Sequence, residues 1–148
     1  MEFISPKKYI DTNGLCKDID EESGIYAIII DNRVVYVGQA QNMLRRVKRH
    51  YWHILNIPVR HKYFLLQQAK EHNVVIDCVI LKKCQISELN KLENDYIRDC
   101  GFEGESDEKN KSRNCPPLNN LLFENPESFP YEKFIGNLSK YKLYTELD

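Results

Sequence analysis

Six side chains in this sequence have types and spacings that could do chemistry: Tyr26, Tyr36, Arg46, His50, Glu93 and Asn119. Tyr26 and Tyr36 flank a turn, so an antiparallel hairpin brings one roughly opposite the other and gathers two phenols at one end of a small sheet. Arg46 and His50 are four apart, which stacks them on one flank of a helix. On a helical wheel Glu93 falls about 40° from Leu89, inside an apolar stripe completed by Leu92, Tyr96 and Cys100. A carboxylate there must meet a cation, a metal or a hydrogen-bond network, because unpaired burial is costly. The spacing leaves a structural ion pair and a metal site both open. Taken singly, each residue also has a plainer use: sheet-end packing for the tyrosines, a surface ion pair for Arg46, helix-side donation for His50, turn formation for Asn119.

The elements that must position these groups are legible in outline. Residues 25–30 and 34–37 are apolar, β-branched-rich runs, and Asp31-Asn32 between them tolerate the positive φ of a two-residue primed turn. Gly38 is expected to let the backbone turn after Tyr36 without a Cβ. Gln41-Asn42 can cap a helix over roughly 43–55, with Leu44, Val47, Tyr51, Ile54 and Leu55 as its apolar stripe and Arg46, His50 and His53 along a flank. A second helix is expected over 60–72 and a third strand over 74–81. A further helix over 87–100 has Ser87 as N-cap, Gly101 as its C′ residue, and Asn90, Lys91, Asn94, Asp95 and Arg98 opposite its apolar stripe. Residues 103–113 read as a polar loop. Pro116 and Pro117 then fix an extended approach that presents Asn119. Residues 1–23 read as an irregular arm and 121–148 as an aromatic-rich extension packing on the same domain.

Composition narrows the class. A chain of 148 residues with 42% hydrophobic and 29% charged residues suits one globular domain. The start, MEFISPKK, lacks the apolar core of a signal peptide, and no apolar run could span a bilayer. Five cysteines without a Cys-x-x-Cys pair indicate neither a disulfide framework nor a zinc knuckle, so a reducing cytoplasm is the expected location. The net charge of −1 conceals an asymmetry. Residues 32–70 carry eight Lys/Arg and no acid, leaving 13 of the 21 basic residues against all 22 acidic ones elsewhere. That pattern suits either a positive face for a polyanion or a merely solvated helix face.

Together these residues resemble the GIY-YIG nuclease family. Gly24-Ile25-Tyr26 and Tyr36-Val37-Gly38 stand where its two name motifs should. Arg46 and His50 follow at the family's spacing, Glu93 matches its late-helix glutamate and Asn119 its closing asparagine. The resemblance covers about residues 24–120, and the compact layout looks most like small phage or restriction-type members. Many relatives carry lysine directly after the second motif; here it is Gln39.

The resemblance implies an α+β fold, a three-stranded antiparallel sheet flanked by helices, cutting DNA phosphodiesters with one divalent metal to leave 5′-phosphate and 3′-hydroxyl ends. It implies Glu93 as ligand of Mg²⁺ or Mn²⁺, Arg46 on the scissile phosphate, Tyr26 or Tyr36 on the attacking water, His50 as proton relay or phenol holder, and Gly38 and Asn119 in support. Arg45, Lys48, Arg49, Arg60 and Lys62 are the expected DNA contacts. Cutting both strands would call for a homodimer or higher oligomer. The competing expectation is a catalytically silent nucleic-acid-binding module with the same fold.

Overall fold

A computed structural model of the chain describes residues 19, 21–55, 63–100 and 131–147. Strand β1 (Gly24–Ile30) and strand β2 (Arg33–Ala40) form a hairpin, followed by helix α1 (Met43–Leu55), helix α2 (Phe64–Glu71) and strand β3 (Ile76–Lys83). A 3₁₀ turn (Ile86–Glu88) leads into helix α3 (Leu89–Cys100). A short helix α4 (Tyr131–Gly136) and two 3₁₀ turns follow. The sheet order is β2-β1-β3, antiparallel throughout. This is the α+β architecture that the resemblance implies.

β1 is the central strand, and its Ile25–Ile30 run is buried on both faces. That explains why it reads as a continuous apolar run rather than an alternating one. Asp31 and Asn32 take φ of 52° and 63°, the pair of positive values that a primed turn requires. Beyond the turn the β1–β2 ladder contains a bulge. Ile28 pairs with Tyr36 but Ile29 pairs with Val34, so Val35 is the extra residue. A second irregularity passes over Leu81 in β3. Tyr26 consequently lies opposite Gly38, and Tyr36 lies diagonally across the same face, opposite Ile28.

The ladder corrects the role expected of Gly38. It does not turn the chain; it lies inside β2 and makes room for a ring. A Cβ built there would stand 2.5 Å from the Tyr26 hydroxyl oxygen and 2.8 Å from Cε2 of Tyr36. Gly24 does the same for α1, since a Cβ there would meet the Lys82 carbonyl and stand 2.8 Å from Cε of Met43, the first residue of that helix. Asn42 caps α1 as expected, its Oδ1 accepting from the Arg45 N–H at 3.0 Å. Val47, Tyr51 and Ile54 are buried and Leu44 is half-buried.

Two boundaries differ from expectation, and the start expected for α2 at residue 60 lies outside the described residues. β3 begins two residues late because the turn at Asn73 (φ 62°) puts the first ladder pair at Ile76, and Val75 is left exposed. α2 is described only from Phe64, and both Leu65 and Leu66 face the core. The stretch before α3 is a separate 3₁₀ turn closed by Glu88 Oε1 accepting from the Gln85 N–H at 3.0 Å, so Ser87 is not the cap. Near the end of the chain, Tyr131, Phe134 and Tyr141 are buried, the Val34 N–H donates to the Lys142 carbonyl and the Tyr144 N–H donates to Asn32. Gly101, Pro116, Pro117 and the 103–113 stretch lie outside the described residues.

Gly38→Ala is expected to destabilise the protein by about 1–3 kcal/mol through overpacking against Tyr26 and Tyr36. Gly136→Ala, which meets nothing within 4 Å, is the neutral control. Urea midpoints for the two variants check this, and equal midpoints would refute the close-approach role of Gly38.

Candidate active site

The site grows outward from a buried imidazole. His50 projects from α1 into the core and is only 2% exposed. Its Nε2 lies 2.5 Å from the Tyr26 hydroxyl and its Nδ1 lies 2.9 Å from the Tyr63 hydroxyl. A neutral imidazole offers one donor and one acceptor, and two phenols, each able to play either part, satisfy both nitrogens. Burial is the main force that pushes His50 down to about 3, and the positive charges of Arg46, His53 and Arg49 add to it. The ring is therefore neutral near pH 7. It acts as a fixed bridge between β1 and the start of α2.

Around it the rings form one cluster. The centroids of Tyr26 and Tyr36 are 6.2 Å apart, and each lies 5.6 Å from that of His50. The Tyr26 phenol is driven well above its ordinary value chiefly by burial, with Tyr36 adding to the rise and Arg46 opposing it. Tyr36 is also raised by burial, opposed by Arg46 and reinforced by Glu93. Both phenols are protonated at neutral pH. Tyr36 is the outer of the two, 8% exposed against 0% for Tyr26.

Arg46 lies on the exposed flank of α1, one turn before His50, close enough for its positive charge to act on both phenols. Burial works against its charge, but the oxygens of Tyr26, Tyr36 and Tyr63 outweigh that and hold the guanidinium firmly protonated. Glu93 on α3 is half-buried. It approaches from the β2 side, where its Oε1 accepts from Gln39 Nε2 at 3.1 Å. The same amide donates to Asn90 Oδ1 at 2.7 Å. Tyr36 thus feels Arg46 from α1 and Glu93 from α3. Arg46 and Gln39 also line a groove of about 350 Å³ whose other walls are Ala40, Gln41, Asn42, Arg45 and Arg49.

The structure therefore brings Tyr26, Tyr36, Arg46, His50 and Glu93 to one end of the sheet, with Gly38 beneath them. Arg45 and Arg49 border the same groove, whereas Lys48 is half-buried and does not line it. Asn119, Arg60 and Lys62 lie outside the described residues. Asn90 needs correction: the wheel assigned it to the face opposite Glu93, yet both touch the Gln39 amide. Residues three apart on a helix are neighbours, and these two differ by only about 60°.

Two participants were not picked out from the sequence. Tyr63 reads there as one more apolar residue of a helix, and only the packing of α2 against α1 brings its hydroxyl to His50. Gln39 stands out there merely as a departure from lysine; its neutral amide donates to the Glu93 side chain. His53, placed with Arg46 and His50 on one flank of the helix, is half-buried and stacks on Tyr63 with centroids 4.9 Å apart and an interplanar angle of 22°.

Comparison with known proteins gives one curated relative. The chain is 24% identical over 136 residues to UvrABC system protein C of Aromatoleum aromaticum (strain DSM 19018 / LMG 30748 / EbN1), a match covering 91% of this chain and 19% of that protein. The chain thus spans about a fifth of the length of the relative it matches. No family model matches, and no solved structure matches.

Two outcomes follow from the imidazole bridge. In the unfolded chain the His50 ring titrates near its ordinary 6.5, while in the fold it stays neutral to about 3. Between those values the unfolded state binds the extra proton, so this residue costs stability as the pH falls. Burial holds Asp77 up to about 6, which acts in the opposite sense, so the parent is compared with His50→Gln. The stability gap between them, from urea titrations, should narrow between about pH 7 and about pH 4 by up to ~1.4 kcal/mol per pH unit; a constant gap would refute the neutral buried ring. Tyr63→Phe leaves Nδ1 without its buried partner and should cost about 1–3 kcal/mol in the same assay at neutral pH.

Proposed function

We propose that this protein is a GIY-YIG-type, metal-dependent DNA endonuclease that hydrolyses phosphodiesters to 5′-phosphate and 3′-hydroxyl ends. The observation that carries the reading is the environment of Tyr36: a nearly buried phenol on which Arg46 from α1 and Glu93 from α3 both act electrostatically, with Arg46 itself lining a groove walled by three arginines. The similarity to UvrABC system protein C supports a nuclease relationship. The order of the six motif residues supports this family in particular.

Diester hydrolysis needs an oriented, deprotonated water, neutralisation of the negative charge on the phosphorane, and relief of charge on the departing oxygen. Arg46 meets the second need, since its planar fork matches phosphate oxygens and stays charged throughout. Arg45 and Arg49 draw the strand into the groove. Tyr36, being the outer phenol, orients the water. Burial keeps it protonated, so it can accept the water's proton only in concert with releasing its own phenolic proton to solvent. Tyr26 stands behind it, fixed by His50. A histidine pushed down to about 3 is a poor proton store at neutral pH, so His50 serves in this reading as the holder of the phenol.

The donor set fits one hard cation. Among the described residues no three His, Cys, Asp or Glu side chains converge. One carboxylate, oriented by Gln39, suits a largely hydrated Mg²⁺ or Mn²⁺ whose remaining positions go to water and phosphate. Glu93 would hold it. The metal would supply Lewis-acid polarisation of the phosphate and charge relief at the leaving oxygen. Gln39, a wall of the groove, holds the acid by its hydrogen bond.

Membership of the small phage or restriction-type group, a cytoplasmic location and action as a homodimer on duplex DNA belong to the same proposal. Among the described residues no helix is long and apolar enough to cross a membrane.

Supercoiled plasmid incubated with the purified protein should be nicked with Mg²⁺ or Mn²⁺ and left intact with EDTA. Glu93→Gln and Arg46→Ala should each slow cleavage about 100- to 1000-fold, the former while still binding DNA. Absence of nicking by the parent under every metal condition, with DNA binding retained, would replace this reading with the silent binding module.

A further inference from the structure

Trp52 is 57% exposed, an unusual position for a large aromatic ring. At about 100° per residue, Arg45, Arg49 and Trp52 fall within about 60° of one another on α1. The same flank continues through His53 and Arg46 to His50. Arg45, Arg46 and Arg49 line the groove beside the site. Trp52 lies about 9 Å beyond Arg46 along the helix axis, at a rise of ~1.5 Å per residue.

The indole is also braced. It meets the His53 ring nearly perpendicularly, with centroids 5.2 Å apart and an interplanar angle of 84°. His53 stacks on Tyr63, and Tyr63 hydrogen-bonds to His50. A run of ring contacts therefore links the exposed indole to the Tyr26 end of the sheet. An exposed ring is an entropically cheap platform when its rotamer is held before binding.

We infer that Trp52 is a stacking platform for an unpaired nucleobase a few nucleotides from the scissile phosphate, with Arg45 and Arg49 clamping the intervening strand. The occupant is chosen by charge. Two guanidiniums flank the indole on its helix face, and no acidic residue occurs from Asn32 to Lys70. A positively charged track beside an aromatic face is the arrangement that binds single strands, where every base offers a π-face to the ring. In a duplex the bases are stacked inside, so the platform selects ends, flaps, loops or extruded bases. This inference rests on the nucleic-acid reading given above and adds the strand character of the substrate.

The chain has one tryptophan, so its fluorescence reports this position alone. Full-length Glu93→Gln protein, expected to bind without cutting, is titrated with a single-stranded oligonucleotide and with a blunt duplex of the same sequence. Emission should be quenched on saturation by the single strand and much less by the duplex. Trp52→Ala should weaken single-strand binding about 5- to 150-fold in anisotropy titrations, and Trp52→Phe should restore most of it. Unchanged emission at saturation, or equal losses for single strand and duplex, would overturn the inference. So would a protein-concentration-dependent blue shift without DNA, which would assign the face to a second copy. Quenching without cleavage by the parent removes the nuclease reading and keeps the platform; cleavage without quenching does the reverse. Failure to bind either nucleic acid ends both.

Discussion

His50 is a polar side chain placed where water hardly reaches, and phenols from two different elements satisfy its ring nitrogens. A buried ring of this kind is tolerable only when each nitrogen is paired, since an unmatched one carries its full desolvation cost. The constraint therefore reaches well beyond the histidine. It sets the distance of α1 from β1 and the rotation of α2 about its own axis. It also fixes the ring of Tyr26, which in turn demands that residue 38 have no side chain. Backbone spacing, helix placement and glycine identity at this end of the sheet all answer to one hydrogen-bonded chain.

From that chain outward the environment grades from dry to wet over a short distance. Tyr26 is inaccessible, Tyr36 nearly so, and Arg46 is exposed although its charge acts on both. The grading separates two duties that conflict within one residue. Rigid positioning needs burial, which keeps phenols neutral, whereas contact with a charged ligand needs solvent access. The inner ring supplies the first, and the outer ring with the guanidinium supplies the second. Gln39 makes a similar compromise on the opposite side by orienting Glu93 with a dipole rather than a charge.

Much of this was legible in the sequence because the signals are local. The hairpin follows from Asp31-Asn32, α1 from its cap and stripe, and the approach of Arg46 to His50 from helical spacing. What was not legible depends on distance along the chain. Thirteen positions separate Tyr63 from His50, and nothing in either segment announces their contact; it is made by packing between helices. Gln39 and Asn90 are 51 positions apart, and their bond depends on where α3 settles against β2. The purpose of Gly38 was misread for a related reason: glycine commonly signals a bend, and only the ladder register reveals that a neighbouring ring occupies the space.

The extra residue at Val35 has a bearing on how such hairpins change over time. Between Gly24 and Ile28 the paired positions sum to 64, and between Ile29 and Ile30 to 63, so the bulge absorbs one residue of slack between the tip and the tyrosines. The tip can close as a tight two-residue turn while the phenols keep a partnering suited to a differently sized loop. Mutational drift in the connector is thereby uncoupled from the reactive end of the strands. Indels near the tip can be taken up there, and the number of residues between the two tyrosines becomes a poor guide to where their rings meet.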